Sequence, residues 1–259
     1  MNALPLSLAD RTVFVAGGGS AGPGWSIGRA ASVTYARLGA RVCVVDRDAA
    51  SAAETTALIR AEGGAAETFV GDVAEEAEIA RLFAEAREHF GPIDVLHHNV
   101  GIGKTGGLLD TDVRDFDAAH NVNVRSLLLA SQQVLPSMVE RGRGAIVTVS
   151  SVAGLRYIGY PHLSYSVSKA ALIQFTRMIA QQYAGSGIRA NCVVPGLIDT
   201  PRIAHTVAKQ FSADSLDDAR AARARQVPMQ RMGTAWDVAH ACAFLASDAA
   251  AYITGTELV

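Results

Sequence analysis

The stretch Thr12-Val13-Phe14-Val15-Ala16-Gly17-Gly18-Gly19-Ser20-Ala21-Gly22-Pro23-Gly24-Trp25-Ser26-Ile27-Gly28 decides the fold. A short β-branched and apolar run reads as a buried strand, a glycine-rich turn follows it, and a helical pattern begins near Ile27. Glycine lets a backbone turn sharply and come close to a pyrophosphate, whose charge is met by the free N–H groups at a helix N-terminus. A glycine-rich turn alone is common. Between a strand and a helix it becomes a moderately specific sign of dinucleotide binding.

Outward from that stretch the same alternation repeats. Strands are expected at Thr12 to Ala16, Arg41 to Val45, Glu67 to Val70, Val95 to His98, Ala145 to Val149, Arg189 to Val194 and Ile253 to Leu258. Helical patterns begin near Ile27, Ala49, Glu75, Asp115, Ser164 and Thr234. Continuous apolar strands between alanine-rich helices predict a parallel sheet covered on both faces, in one doubly wound α/β domain over residues 1–259 with about seven strands. The least regular segment, 201–227, is polar and alanine-rich. It is expected to act as a lid over the substrate, with Asp217, Asp218, Arg220, Arg223 and Arg225 on a solvated helical face.

Composition narrows the function. The chain has 259 residues, 49% hydrophobic and 19% charged, with a formal net charge of -2, which provides a sizeable core and no basic field for nucleic acid or anionic lipid. Small-molecule binding is the default. Cys43, Cys192 and Cys242 are far apart in apolar stretches, as reduced core thiols are, and no metal-ligand spacing appears. With neither a leader-like start nor an apolar run of membrane-spanning length, the expected location is the cytoplasm.

The second strand ends in Val44-Val45-Asp46, where a carboxylate can accept hydrogen bonds from both hydroxyls of an adenosine ribose. A 2'-phosphate would meet that carboxylate with roughly two negative charges, so Asp46 favours NAD. Arg47 keeps NADP as the alternative.

Tyr165-Ser166-Val167-Ser168-Lys169 places a phenol and an ammonium four apart on a helix, where side chains are neighbours. At about 4 Å and an effective dielectric near 20, the cation favours the phenolate by roughly 4 kcal/mol. That is about three pKa units, enough for a tyrosine to exchange protons with an alcohol near pH 7.

Taken together these motifs resemble the short-chain dehydrogenase/reductase family over nearly the whole chain. Tyr165 and Lys169 match the family's Tyr-x-x-x-Lys, Ser150-Ser151-Val152 its active-site serine motif, and Asn121-Val122-Asn123-Val124 its helix asparagine. His98-Asn99-Val100-Gly101 stands in place of Asn-Asn-Ala-Gly, Gly71-Asp72-Val73 matches the adenine-contact motif, and Pro195-Gly196-Leu197-Ile198-Asp199-Thr200 the Pro-Gly motif. The resemblance implies NAD(P)-dependent interconversion of a secondary alcohol and a ketone. Tyr165 would be the acid/base, Ser151 would hold the substrate oxygen, Lys169 would bind ribose and tune Tyr165, and Asn123 would support a proton relay. It implies cofactor contacts from Gly17, Gly19, Ser26, Ile27, Asp46, Asp72, Val73, Asn99 and Gly101, and from Pro195, Gly196, Ile198 and Thr200 around the carboxamide. It also implies a homotetramer paired through helices near Asp115 to Val139 and Ser164 to Ala184. The rival reading is a non-catalytic dinucleotide-binding sensor or scaffold.

Three departures stand out. The glycine loop is five residues longer than the family's, and Ser26 replaces its second glycine. A stretched loop ending in Ser-Ile is similar to that of the enoyl reductases, whose Tyr and Lys are separated by six residues rather than three. His98 replaces an asparagine and is expected to be structural. The sequence given ends at Thr256-Glu257-Leu258-Val259, short of the family's usual tail, which puts packing there in question. For the substrate pocket, Ile102 to Thr105, Val152 to His162, Leu197 and the residues after Thr200 are expected to form the wall. Leu155, Tyr157, Ile158, Tyr160, Leu197 and Ile203 would make it largely apolar with few fixed charges. A compact, apolar alcohol or ketone is expected, a cyclic one among the candidates, with Arg156 and Lys104 turned to solvent.

Overall fold

A computed structural model describes residues 6–203 and 216–259. Thr12–Ala16 (β1) is buried at every position, and its alternation is divided between two cores: Val13 and Val15 face one, Phe14 and Ala16 the other. Ile27–Arg37 (α1) returns the chain to Arg41–Asp46 (β2), and Ala49–Ala61 (α2) to Ala65–Val70 (β3). Glu76–Phe90 (α3) then crosses to Val95–His98 (β4) on the other side of β1.

From there Val113–His120 (α4) and Ser126–Arg141 (α5) lead to Gly144–Val149 (β5), and Leu163–Tyr183 (α6) leads to Ile188–Val193 (β6). Two short strands, Ile198–Asp199 (β7) and Gly233–Thr234 (β8), pair with each other. Leu216–Ala224 (α7) lies between them in sequence, Ala235–Ala246 (α8) follows, and Glu257–Leu258 (β9) ends the sheet.

The sheet order is β3-β2-β1-β4-β5-β6-β9, and every pairing is parallel. The order reverses between β1 and β4, so a crevice opens beyond their carboxyl ends, the place where open α/β sheets bind ligands. On one face α1 and α8 pack with Val33, Tyr35, Val238 and Cys242. On the other, α3, α5 and α6 supply Phe83, Leu127 and Leu172, and Phe14 stacks on Phe83 with ring centroids 3.9 Å apart. The three cysteines are free and buried, as expected of core thiols.

The expected elements are present, with local differences. The last strand is two residues rather than Ile253 to Leu258, because Ile253 N–H closes a turn onto Ala250 and Gly255 takes a φ of 76°. The third strand begins earlier, at Ala65, whose partner is Arg41. The pattern expected as one helix from Asp115 to Val139 is interrupted by a π-helical turn at Asn121–Arg125. That extra residue in the turn rotates Asn123 into the interior, where it is fully buried. The lid expected over 201–227 falls in its central part on residues 204–215, outside the described residues.

Candidate active site

The glycine loop is built so that backbone meets backbone. Gly17 takes a φ of 83°, and Gly17 and Gly18 both donate to Val45 O at 2.9 Å. A Cβ on Gly28 would stand 1.8 Å from Gly17 O, so the first turn of α1 lies directly on the end of β1. Ser26 is the N-cap of α1: its hydroxyl accepts from Arg29 N at 3.1 Å and donates to Gly19 O at 2.6 Å. The helix end thus presents the N–H groups of Ile27 and Gly28 without intrahelical acceptors, a ready anion site.

The inserted residues are held from two sides. Arg29 donates to Gly24 O at 3.1 Å while pairing with Glu54 at 2.6 Å, and Trp25 packs on Trp236 at the start of α8, ring centroids 4.5 Å apart.

Asp46 closes the adenosine end. Its Oδ2 accepts from Gly19 N at 3.0 Å and its Oδ1 from Asp48 N at 3.1 Å, which fixes the carboxylate while leaving each oxygen further acceptor capacity. Asp72 and Val73 line the same cleft, as does Arg47. Asn99 donates to Gly17 O at 3.0 Å, tying β4 to the glycine turn at the point of reversal. A Cβ on Gly101 would come 2.9 Å from Lys169 Nζ, so a larger residue there would push the ammonium aside. These features form a cradle that fits a dinucleotide: close backbone approach at Gly17 and Gly28, a helix terminus for pyrophosphate, and a carboxylate at the ribose position.

Ser151, Tyr165 and Lys169 meet where the carboxyl end of β5 faces α6. Lys169 is nearly fully buried and donates to Val149 O at 2.9 Å and Val100 O at 3.3 Å. Burial, with the Arg202 charge and against the pull of Tyr165, holds its ammonium below the ordinary lysine range. For Tyr165, enclosure by protein pushes the phenol up. The charges of Lys169 and Arg202, with hydrogen bonds to Ser151 and Arg202, outweigh it and bring the phenol below its usual value. Such a tyrosine is suited to exchanging a proton with an alcohol or carbonyl oxygen beside Ser151.

Asn123 does not line the cleft. It sits behind it, accepting from Ile102 N and donating to Ile102 O and Ser168 Oγ, each at 2.8 Å. The remaining sequence-predicted residues, Gly19, Ser26, Ile27, Pro195, Gly196, Ile198 and Thr200 among them, all border one cleft. His98 is structural, as expected: it is fully buried, with Nε2 2.7 Å from Ser126 Oγ.

The substrate wall differs from expectation in three ways. Ile102, Val152, Ile158, Tyr160, Leu197 and Ile203 border the cleft, but Leu155 and Tyr157 point to solvent, Tyr157 being 72% exposed. Lys104 is turned outward as expected, onto Asp115 at 2.7 Å. The expectation of few fixed charges is not met: Arg202 and Arg223 both border the cleft, and the Arg202 Cζ lies 5.1 Å from the centroid of the Tyr165 ring. Arg223 is 8% exposed rather than on a solvated face. Arg202 follows the Pro-Gly motif by two residues, and that adjacency was the signal available. Arg223 carried none, since its burial depends on how α7 is placed.

The family model described as enoyl-(acyl carrier protein) reductase matches residues 22–259. The chain is 35% identical over 249 residues to 2-(S)-hydroxypropyl-CoM dehydrogenase 3 of Xanthobacter autotrophicus, covering 96% of this chain and 94% of that protein. A solved structure described as a short-chain dehydrogenase/reductase of Burkholderia xenovorans superposes with a TM-score of 0.89 at 38% identity, covering 97% of this chain and 95% of that one. This chain belongs to the short-chain dehydrogenase/reductase family. A further structure, assigned as an NAD(P)-dependent gluconate 5-dehydrogenase of Beutenbergia cavernae with NADP bound, superposes with a TM-score of 0.87 at 31% identity, covering 98% and 96% of the two chains. As a family member the chain is an NAD(P)-dependent oxidoreductase acting on CH–OH groups, with small-molecule substrates. No helix among the described residues is long and apolar enough to cross a membrane.

Proposed function

We propose that the protein interconverts a secondary alcohol and a ketone, using NAD in preference to NADP. The observation that carries this reading is the meeting of Ser151, Tyr165 and Lys169 in the cleft whose far end is closed by Asp46. Bound NAD would accept the hydride from the carbinol carbon, or its reduced form would return it. Ser151 holds the substrate oxygen, and Tyr165 takes the hydroxyl proton as the carbonyl forms, or gives it back in the reverse direction. Lys169 keeps the phenolate accessible and holds the nicotinamide ribose. Asn123, through Ile102 and Ser168, fixes the backbone beside Lys169 and supports the path of the proton towards solvent. Gly17, Gly19, Ser26 and Ile27 receive the pyrophosphate, Asp72 and Val73 the adenine, Asn99 and Gly101 the ribose, and Pro195, Gly196, Ile198 and Thr200 the carboxamide.

The NAD preference follows from Asp46, whose two oxygens are already oriented by Gly19 and Asp48. The carbon skeleton of the substrate meets Ile158, Tyr160, Leu197 and Ile203, a wall suited to a compact skeleton, open or cyclic, rather than a phosphorylated sugar or an acyl-carrier thioester. We take residues 1–259 as one cofactor-binding and catalytic domain acting in the cytoplasm. A sensor or scaffold would need the Asp46 end of the cleft but not the buried Lys169 and the tuned Tyr165.

Hydride transfer to NAD across a panel of secondary alcohols tests the reading. Tyr165→Phe should lose roughly a hundredfold or more in turnover while still binding NAD, the scale usual for a general acid/base. Near wild-type turnover in that variant would refute the assignment.

A further inference from the structure

The substrate end of the cleft has a charge pattern that the proposed reaction does not require. Among the described residues bordering the cleft, the carboxylates are Asp46, Asp48 and Asp72, all beyond β2 and β3 at the adenosine end. At the other end the charged residues are Lys169, Arg202 and Arg223, with no acid among them. Lys169 is committed to the Val149 and Val100 carbonyls. Arg202 also lowers the Tyr165 phenol, but the proton step does not require a second guanidinium, and Arg223 has no part in it.

Two buried side chains here also have ring or guanidinium nitrogens without a partner of normal geometry among the described residues. His162 is 6% exposed and lies flat against Tyr165, ring centroids 4.6 Å apart and planes 16° from parallel. Neither of its ring nitrogens has a hydrogen-bond partner of normal geometry among the described residues, although the Gly103 backbone favours its protonated form. Arg223 is 8% exposed, and its Nε is likewise without a partner. An unsatisfied buried polar group costs about 1–3 kcal/mol, so such groups in a cleft mark where a ligand supplies what the protein does not. Arg202 stands over the same tyrosine, and Arg220, one turn before Arg223, ties α7 to Asp199 at 3.2 Å beside the Pro195–Thr200 segment.

We propose that the substrate is a short hydroxy acid, or the corresponding keto acid, whose carboxylate is read by Arg202 and Arg223 with His162 donating beside them. The proposal deepens the dehydrogenase reading and rests on it. A guanidinium fork matches a planar carboxylate in geometry as well as charge. A neutral imidazole has one donor nitrogen, and that of His162 can serve the carboxylate. The apolar residues Ile158, Leu197 and Ile203 then enclose the carbons between the carboxylate and the reacting centre. Arg202 and Arg223 are specificity-determining residues, and His162 positions the acid end against Tyr165.

The test compares 3-hydroxybutanoate, 4-hydroxypentanoate and 5-hydroxyhexanoate with their methyl esters in NAD reduction by the full chain. It also compares binding of 4-oxopentanoate and its methyl ester to the NAD-loaded protein, which cannot reduce them, by calorimetry. The acid should exceed its ester at least tenfold in kcat/KM for the best chain length, equivalent to about 1.4 kcal/mol, and the keto acid should bind correspondingly tighter. Arg202→Gln and Arg223→Gln should each bring the acid-to-ester ratio towards one, with Arg223→Lys retaining part of it. Because the ratio is taken within one variant, any change at Tyr165 cancels. Esters turned over as well as acids would overturn the anion subsite while leaving the dehydrogenase standing. Failure of every acid and ester, with NAD still bound and other secondary alcohols oxidised, would overturn the hydroxy-acid proposal alone, whereas failure of the whole alcohol panel would remove the dehydrogenase reading on which it rests.

Discussion

His97 and His98 should make the protein sensitive to mild acid, and the size of the effect can be worked from their surroundings. Both are fully buried, and burial holds each imidazole down at about 3; Lys169 and His97 add to the effect at His98. His97 Nδ1 is 2.9 Å from Tyr35 Oη and His98 Nε2 is 2.7 Å from Ser126 Oγ, while His97 Nε2 and His98 Nδ1 have no side-chain partner among the described residues. Protonation would put an unpaired N–H and a charge into the interior. In the unfolded chain the same groups titrate near 6.5, so below that value the unfolded state binds more protons and stability falls with pH. The stability is complete above about pH 6.5 and is lost as pH descends towards the folded value. At about pH 5.5 each unfolded histidine is stabilised by about 1.4 kcal/mol through protonation, so the pair costs about 3 kcal/mol relative to pH 7.5. His162, also held below its ordinary value chiefly by burial, acts in the same direction. Urea unfolding at the two pH values, followed by far-UV circular dichroism, reads the difference. His98→Asn, which restores the residue usual for the family motif, should recover about half of the pair's loss. Equal unfolding free energies at both pH values, or an undiminished loss in His98→Asn, would refute the reasoning.

Two further outcomes are expected. The wild-type protein should prefer NAD over NADP by at least tenfold, about 1.4 kcal/mol, and Asp46→Ala should narrow that preference; equal use before mutation would mean that Arg47 decides the cofactor. Helices α5 and α6 should pair across subunits, because Leu128, Val139, Val167 and Met178 leave 40% or more of their surface exposed on them. Light scattering should give four times the 27.1 kDa chain mass, and a monomer mass at micromolar concentration would count against assembly.

The sheet was legible in the sequence because its signal is local. Continuous apolar strands such as Val42 to Val45, separated by amphipathic helices, permit few other arrangements, and the glycine turn after Ala16 sets where the first helix begins. The proposed acid/base pair was legible for the same reason: Tyr165 and Lys169 share one helix face, so four residues of sequence contain their geometry. Ser151 and Asn123 had no such local signal and were reached through the family resemblance. The structure gives Asn123 a cause the pattern could not show. Its side chain is turned inward by a π-helical turn, which no hydrophobic periodicity announces.

The residues that escaped the sequence reading are those whose environment is made by distant chain segments. Arg223 sits among Asp217, Asp218, Arg220 and Arg225, and on charge alone the helix reads as solvated. Only its placement, with Arg220 held to Asp199 and Ala219 buried beside it, turns Arg223 inward. His162 is similar. It precedes α6 by one residue, and the stacking that makes it part of the site needs Tyr165 one turn along the same helix. Its backbone is fixed by the 102–106 loop, whose Gly106 pairs with His162 by a β-bridge. In the proposed reading the chemistry is carried by Ser151 at the end of β5 and by Tyr165 and Lys169 on α6, whereas specificity is carried by side chains from two connections, His162 between β5 and β6 and Arg202 and Arg223 between β7 and β8. This division explains why one sheet with one catalytic helix can serve many substrates, and why variation at Arg202, Arg223 and His162 should alter which alcohol is oxidised before it alters how.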